Sequence, residues 1–129
     1  MQISYETIDG VAILGVTGAV DSHAAGQLSD ALVQCISGGA KKMIVNLSGV
    51  HIMTRAGFRG LVVAAKLMET AQGEMRICGA LRSVDDFLRR SGFTYLLTCD
   101  VTLQASLNEL RAAPRGVPER PAMPLLQAI

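Results

Sequence analysis

The sequence predicts an α/β fold: a single small mixed sheet, mostly parallel, with helices, in the order β-β-α-β-α-β-α-β-α. Three observations carry that expectation. Asp9-Gly10 separates two strand-like runs, a strong signal for a tight antiparallel hairpin. Short apolar runs then alternate with segments of helical periodicity, the pattern of parallel strands joined by crossover helices. Midway along the chain, the apolar run 43–47 passes through a turn into a segment where Phe58, Leu61, Val62 and Ala65 recur at i, i+3, i+4 and i+7. This strand-turn-helix junction is the kind of place where open α/β sheets put function.

In chain order, Ile3, Tyr5 and Thr7 alternate with Gln2, Ser4 and Glu6, which suits an edge strand. The run 11–17 is almost continuously apolar and suits a more central one. Asp21 or Ser22 can cap a helix whose apolar positions are Leu28, Ala31, Leu32, Cys35 and Ile36, and Gly38-Gly39 stops it. The strand 43–47 follows, then a helix over 54–72 with Thr54 as its N-cap and Gly73 as its stop. A strand over 75–79 leads to a helix capped by Ser83, with Asp86 at the capping-box position and Ser91-Gly92 at its end. Residues 96–99 read as a short strand. Asp100 or Thr102 caps a last helix with Leu103, Leu107 and Leu110 as its buried stripe. All four prolines, from Pro114 to Pro124, are expected to follow that helix, dividing the chain into a domain over 1–112 and a Pro-rich tail over 113–129, extended or docked through its apolar end.

Composition narrows the function. At 129 residues the chain can bury one core, and a net charge of +1 with 18% charged residues gives no broad basic or acidic face for nucleic acid or membrane. The amino terminus has no signal-peptide pattern and the apolar runs are too short to insert in a bilayer, so a cytoplasmic place is expected. Cys35, Cys78 and Cys99 sit apart in apolar segments and read as small buried hydrophobes rather than metal ligands. His23 and His51 lack a partner at ligand spacing, and no nucleophile elbow, phosphate loop or dinucleotide fingerprint occurs. The expectation is therefore no enzyme, no cofactor and no metal.

The element order, the turn Gly18-Ala19-Val20-Asp21-Ser22, and Val45-Asn46-Leu47-Ser48-Gly49-Val50 followed by Gly57-Phe58-Arg59-Gly60-Leu61 together resemble the STAS domain, named for sulfate transporters and anti-sigma factor antagonists. The resemblance covers about residues 1–112 and implies a small mixed sheet with helices on one face. In the bacterial antagonists of that family the turn before the matching helix reads Asp-Ser-Ser-Gly, and a partner kinase that doubles as anti-sigma factor phosphorylates its second serine. Here the turn is Thr54-Arg55-Ala56-Gly57. Ala56 stands at the acceptor position and has no hydroxyl, so Thr54 is the one hydroxyl left there to take a phosphate.

The resemblance implies regulation of transcription by partner switching, in a protein that binds an anti-sigma factor or switch kinase. Its candidate contact residues are Asp21, Ser22, Ile52, Met53, Thr54, Arg55, Ala56 and Arg59, with Ile52, Met53 and Val63 as an exposed apolar patch on and beside a loop over 50–56. Arg55 stands out because a cation in a helix's first turn opposes the macrodipole. Two alternatives share these residues: a STAS-like accessory subunit of a lipid or solute ABC transporter, and a nucleotide or anion sensor holding its ligand on Arg55 and Arg59. Self-association into a homodimer is left open.

Overall fold

A computed structural model of the protein describes residues 1–92 and 97–116, with side chains through residue 110. Its strands are β1 (Gln2–Ile8), β2 (Val11–Val20), β3 (Lys42–Met53), β4 (Glu74–Cys78) and β5 (Cys99–Asp100), forming one sheet in the order β1-β2-β3-β4-β5. Only the β1–β2 pair is antiparallel; β2 through β5 run parallel. The helices are α1 (Ser22–Ser37), α2 (Arg55–Thr70), α3 (Arg82–Ser91) and α4 (Leu103–Gly116). Ile8 pairs with Val11 across a two-residue turn in which Asp9 and Gly10 both have positive φ, the type I′ requirement that an Asp-Gly pair satisfies cheaply.

Alternation along the strands sends side chains to two unequal cores. On one face Leu14, Val16, Met43, Val45, Leu47 and Ile77 pack with Leu28 and Leu32 of α1, Phe58, Leu61 and Met68 of α2, and Val84 and Leu88 of α3. On the other, Val11, Ile13, Ile44 and Cys78 pack with Leu107 and Leu110 of α4. The expectation of helices on one face is thus corrected, because α4 covers the second. A sheet whose central strands are apolar on both sides cannot leave one of them in water.

The caps follow the sequence with two exceptions, Ser83 and Gly73: α2 ends at Thr70 with Ala71 as its C-cap, and Gln72 rather than Gly73 turns the chain at φ 64°. Asp21 caps α1, its carboxylate accepting from Ala24 N at 2.8 Å, and the Thr102 hydroxyl accepts from Ala105 N at 3.1 Å at the start of α4. Gly92 closes α3 in the left-handed conformation at φ 85°. Ser83, however, lies inside α3. Leu81 occupies the N-cap with no side-chain bond, and its carbonyl accepts from Asp85 N at 2.8 Å, so the helix starts two residues earlier than a serine cap would place it. Helix α4 also runs past Ala113 to Gly116 and includes Pro114, where the sequence reading stops it. A single proline removes one backbone donor, and near a helix end that leaves the preceding turns intact. Residues 117–129 of the expected tail and Leu96 of the expected last strand lie outside the described residues, and β5 begins only at Cys99.

The largest departure is β3, twelve residues long and reaching Met53. Between Gly15 and Thr17 on β2 the partner strand advances from Asn46 to Gly49, and between Gly18 and Ala19 it advances from Val50 to Ile52. Each step puts one extra residue on β3, so the strand is bulged twice. Ser48-Gly49, which reads as a stop, is instead a bulge. Beyond it the burial no longer alternates: Val50 and Met53 are buried, whereas His51 and Ile52 are exposed. The expected loop over 50–56 is therefore strand as far as Met53.

Candidate partner-binding site

The long β3 brings its carboxyl end level with that of β2, pairing Val20 with Met53. Thr54 follows and fastens the junction. Its amide donates to Val20 O at 2.9 Å, its hydroxyl donates to the same oxygen at 3.2 Å, and its Oγ1 accepts from Gly57 N at 3.4 Å. The hydroxyl is thereby both N-cap and cross-strand tie. Because Asp21 follows Val20 directly, the entrances of α1 and α2 lie side by side. Asp21, Ser22 and Thr54, singled out from the sequence, are brought together.

Two glycines let α2 sit close to its neighbours. A Cβ on Gly57 would come within 2.9 Å of both Met53 Cγ and Val20 Cγ1, and one on Gly60 within 2.5 Å of the Ser29 Oγ of α1. Gly57 thus seats the helix on the strand ends, and Gly60 admits α1. Phe58, between them, is fully buried and stacks on Phe87 of α3 at a ring-centroid distance of 5.3 Å.

Packing sorts the candidate residues into presented and hidden. Ile52 is 54% exposed and Val63 51% exposed, while Arg55 and Arg59 project into solvent and Ala56 is half-buried. Met53 is corrected: at 5% exposure it belongs to the core beside Val20 and cannot form part of a docking patch. The bulge at His51 turns Ile52 outward and Met53 inward. Sequence reasoning missed Phe87, Arg90 and Ser91 of α3, which with Arg55 line an open cavity of about 320 Å³. Arg90 was inconspicuous because Asp86 precedes it by four residues, the spacing of a routine helical ion pair.

A second polar cluster lies on the α4 side. The Arg76 guanidinium bonds Asp100 through Nε at 2.7 Å and Nη2 at 3.1 Å, and Glu74 through Nη1 at 2.7 Å, while the fully buried Ser106 donates to Asp100 at 2.6 Å. Arg76 foremost, with Ser106, holds the Asp100 carboxyl below the usual carboxylate range. Burial, with Asp100 nearby, pushes the Cys78 thiol up to about 11, so it stays protonated at neutral pH. Of the three cysteines expected in the interior only Cys78 is fully buried; Cys35 is half-buried and Cys99 is exposed, because β5 is an edge strand. Among the described residues no group of three or more His, Cys, Asp or Glu is arranged to hold a metal, and no helix is long and apolar enough to cross a membrane.

Comparison with known proteins decides the family, because the sequence profile of the STAS domain matches residues 2–109. The chain belongs to the STAS domain family. A relative in Bordetella bronchiseptica, BtrV, named as an anti-sigma factor antagonist, is 29% identical over 93 residues, covering 72% of this chain and 80% of BtrV. Among solved structures, an anti-sigma factor antagonist from Mycobacterium paratuberculosis superposes with a TM-score of 0.79 at 19% identity, covering 85% of this chain and 93% of that one. The anti-sigma factor antagonist SpoIIAA in its unphosphorylated form gives 0.73 at 18% identity, covering 86% and 97%. The STAS sheet with four helices is thus shared well beyond recognisable sequence.

Proposed function

We propose that this STAS chain is a non-enzymatic regulator that binds an anti-sigma factor or switch kinase through the carboxyl end of β3 and the first turns of α2, releasing whatever that partner holds. The observation that carries the reading is the α2 entrance. At the family's phospho-acceptor position stands Ala56, and around it Ile52, Arg55 and Arg59 are presented to solvent. Asp21 and Ser22 at the adjoining entrance of α1 complete the surface. Transfer of phosphate to Ala56 is chemically impossible, and the Thr54 hydroxyl is half-buried and already holds Val20 O and Gly57 N. A phosphate on Thr54 would remove the proton that its Oγ1 donates to Val20 O. In this reading the complex forms constitutively and follows the abundance of the two proteins.

The test is co-purification with serine-kinase-like anti-sigma factors produced in the same cell, followed by mass spectrometry of Thr54 after incubation with each and ATP. Expected are capture that Ile52→Asp abolishes and no phosphate on Thr54. Absence of association with every such factor would remove the reading; stoichiometric phosphate on Thr54 would remove the constitutive part of it.

A further inference from the structure

We infer that the cleft between α2 and α3 receives an acidic side chain of the protein partner, held by Arg55 and Arg90 against the ring of Phe87. The inference rests on the proposed docking at the α2 entrance and adds the chemistry that docking requires. Arg55, Phe87, Arg90 and Ser91 line one cavity of about 320 Å³. The ion pairs among the described residues are Arg76–Glu74, Arg76–Asp100 and Arg89–Asp85, and none uses either arginine of the cleft. Arg89 takes Asp85 one turn earlier on α3, but Arg90 forms no such bond with Asp86. The first turn of α2 holds no acidic residue. Residues 93–96, next in sequence after α3, are Phe-Thr-Tyr-Leu and contribute no carboxylate.

Arg55 and Arg90 thus line one concave wall, and among the described residues neither is paired with a carboxylate. The planar fork of arginine matches a carboxylate through paired N–H donors. The Ser91 hydroxyl donates to Leu88 O at 2.9 Å, so the donors facing the cleft are those of the arginines. Phe87, braced by its stack on the buried Phe58, gives the stem of an acidic side chain an apolar surface, which a bare inorganic anion would not use. A net charge of +1 over the whole chain gives no broad basic face, which argues against a nucleic acid backbone.

The full-length chain is titrated by two-dimensional NMR with three probes: a capped hexapeptide of alternating Glu and Leu, its Gln counterpart, and inorganic phosphate. The Glu peptide is expected to shift the amides of Arg55, Phe87, Arg90 and Ser91, with affinity falling about tenfold on Arg55→Gln or Arg90→Gln and further in the double variant. Equal binding of the Gln peptide, equal binding of phosphate, or unchanged affinity in the double variant would each overturn the inference. Both residues are exposed, so the variants keep the fold, checked by circular dichroism. Capture of an anti-sigma factor that survives the double variant but not Ile52→Asp would sink this inference and leave the proposed function standing. Peptide binding without capture of any such factor would sink the function and leave the cleft.

Discussion

The two faces of the sheet are held by different means. Among the described residues, twenty buried apolar side chains form one continuous core beneath α1, α2 and α3, whereas six lie beneath α4, supplemented by the Arg76–Asp100–Ser106 cluster. The first face is stabilised by apolar area and shape, which carry no titrating group. The second leans on polar bonds that are directional and can be titrated. The difference teaches where the molecule can be altered without unfolding: the candidate site belongs to the thick face yet lies at its rim, where the supporting core tolerates surface change.

The largest break in this comparison is expected from Phe58→Ala, which empties a fully buried site and removes the stack on Phe87, at a cost of about 3–5 kcal/mol in urea unfolding. Substituting Leu110, the fully buried anchor of α4, is expected to cost less, because the smaller cluster around it can collapse more readily. A cost for Leu110→Ala equal to that for Phe58→Ala would erase the asymmetry.

Next comes Gly57→Ala, where the new methyl meets a flexible methionine but also Val20, a β-branched side chain with no rotamer to yield; a loss of about 1–3 kcal/mol is expected. Asp100→Asn sharpens the contrast through pH. The folded carboxyl titrates below its unfolded value of about 4, so the stability it contributes is fully present above that value and is lost as pH falls through the folded pKa. Acid unfolding monitored by circular dichroism should therefore begin at higher pH in the native chain than the loss of helical-face packing alone would produce, and the Asn variant should show a flatter acid limb. At neutral pH the variant is expected to be about 1–2 kcal/mol less stable.

The smallest effects belong to the rim. Thr54→Ala removes a cap and a cross-strand tie, for about 1 kcal/mol. Val63→Ser is expected to leave stability within about 0.5 kcal/mol while lowering partner capture in the co-purification assay.

Much of this was legible because local signals and the fold agree. Asp9-Gly10, Asp21, Thr54 and Gly92 each do in the structure what their chemistry favours anywhere. What stayed hidden depended on relations across the sheet. Gly and Ser at positions 48–49 look like the end of a strand, and only pairing with β2 shows that the chain passes through them in a bulge. For the same reason Met53 reads as a surface residue in the sequence, since nothing local reveals two extra residues upstream. The α4 face was hidden because Ile13, Ile44 and Cys78 lie in runs apolar on both sides, which do not say how many helices cover them. The Arg55–Arg90 cleft joins residues thirty-five apart in sequence on different helices, beyond the reach of any periodicity.

The doubly bulged β3 also bears on how such a chain can diversify. Its outward-facing residues are set by a count of positions rather than by side-chain preference: regular alternation through residues 50–53 would turn Ile52 into the interior and Met53 out, and the surplus His51 is what reverses the two. Point replacement at the exposed Ile52, Arg55 and Arg59 alters the surface alone, whereas a further residue inserted between Val50 and Met53 must be taken up by another bulge or it exchanges surface and interior at once.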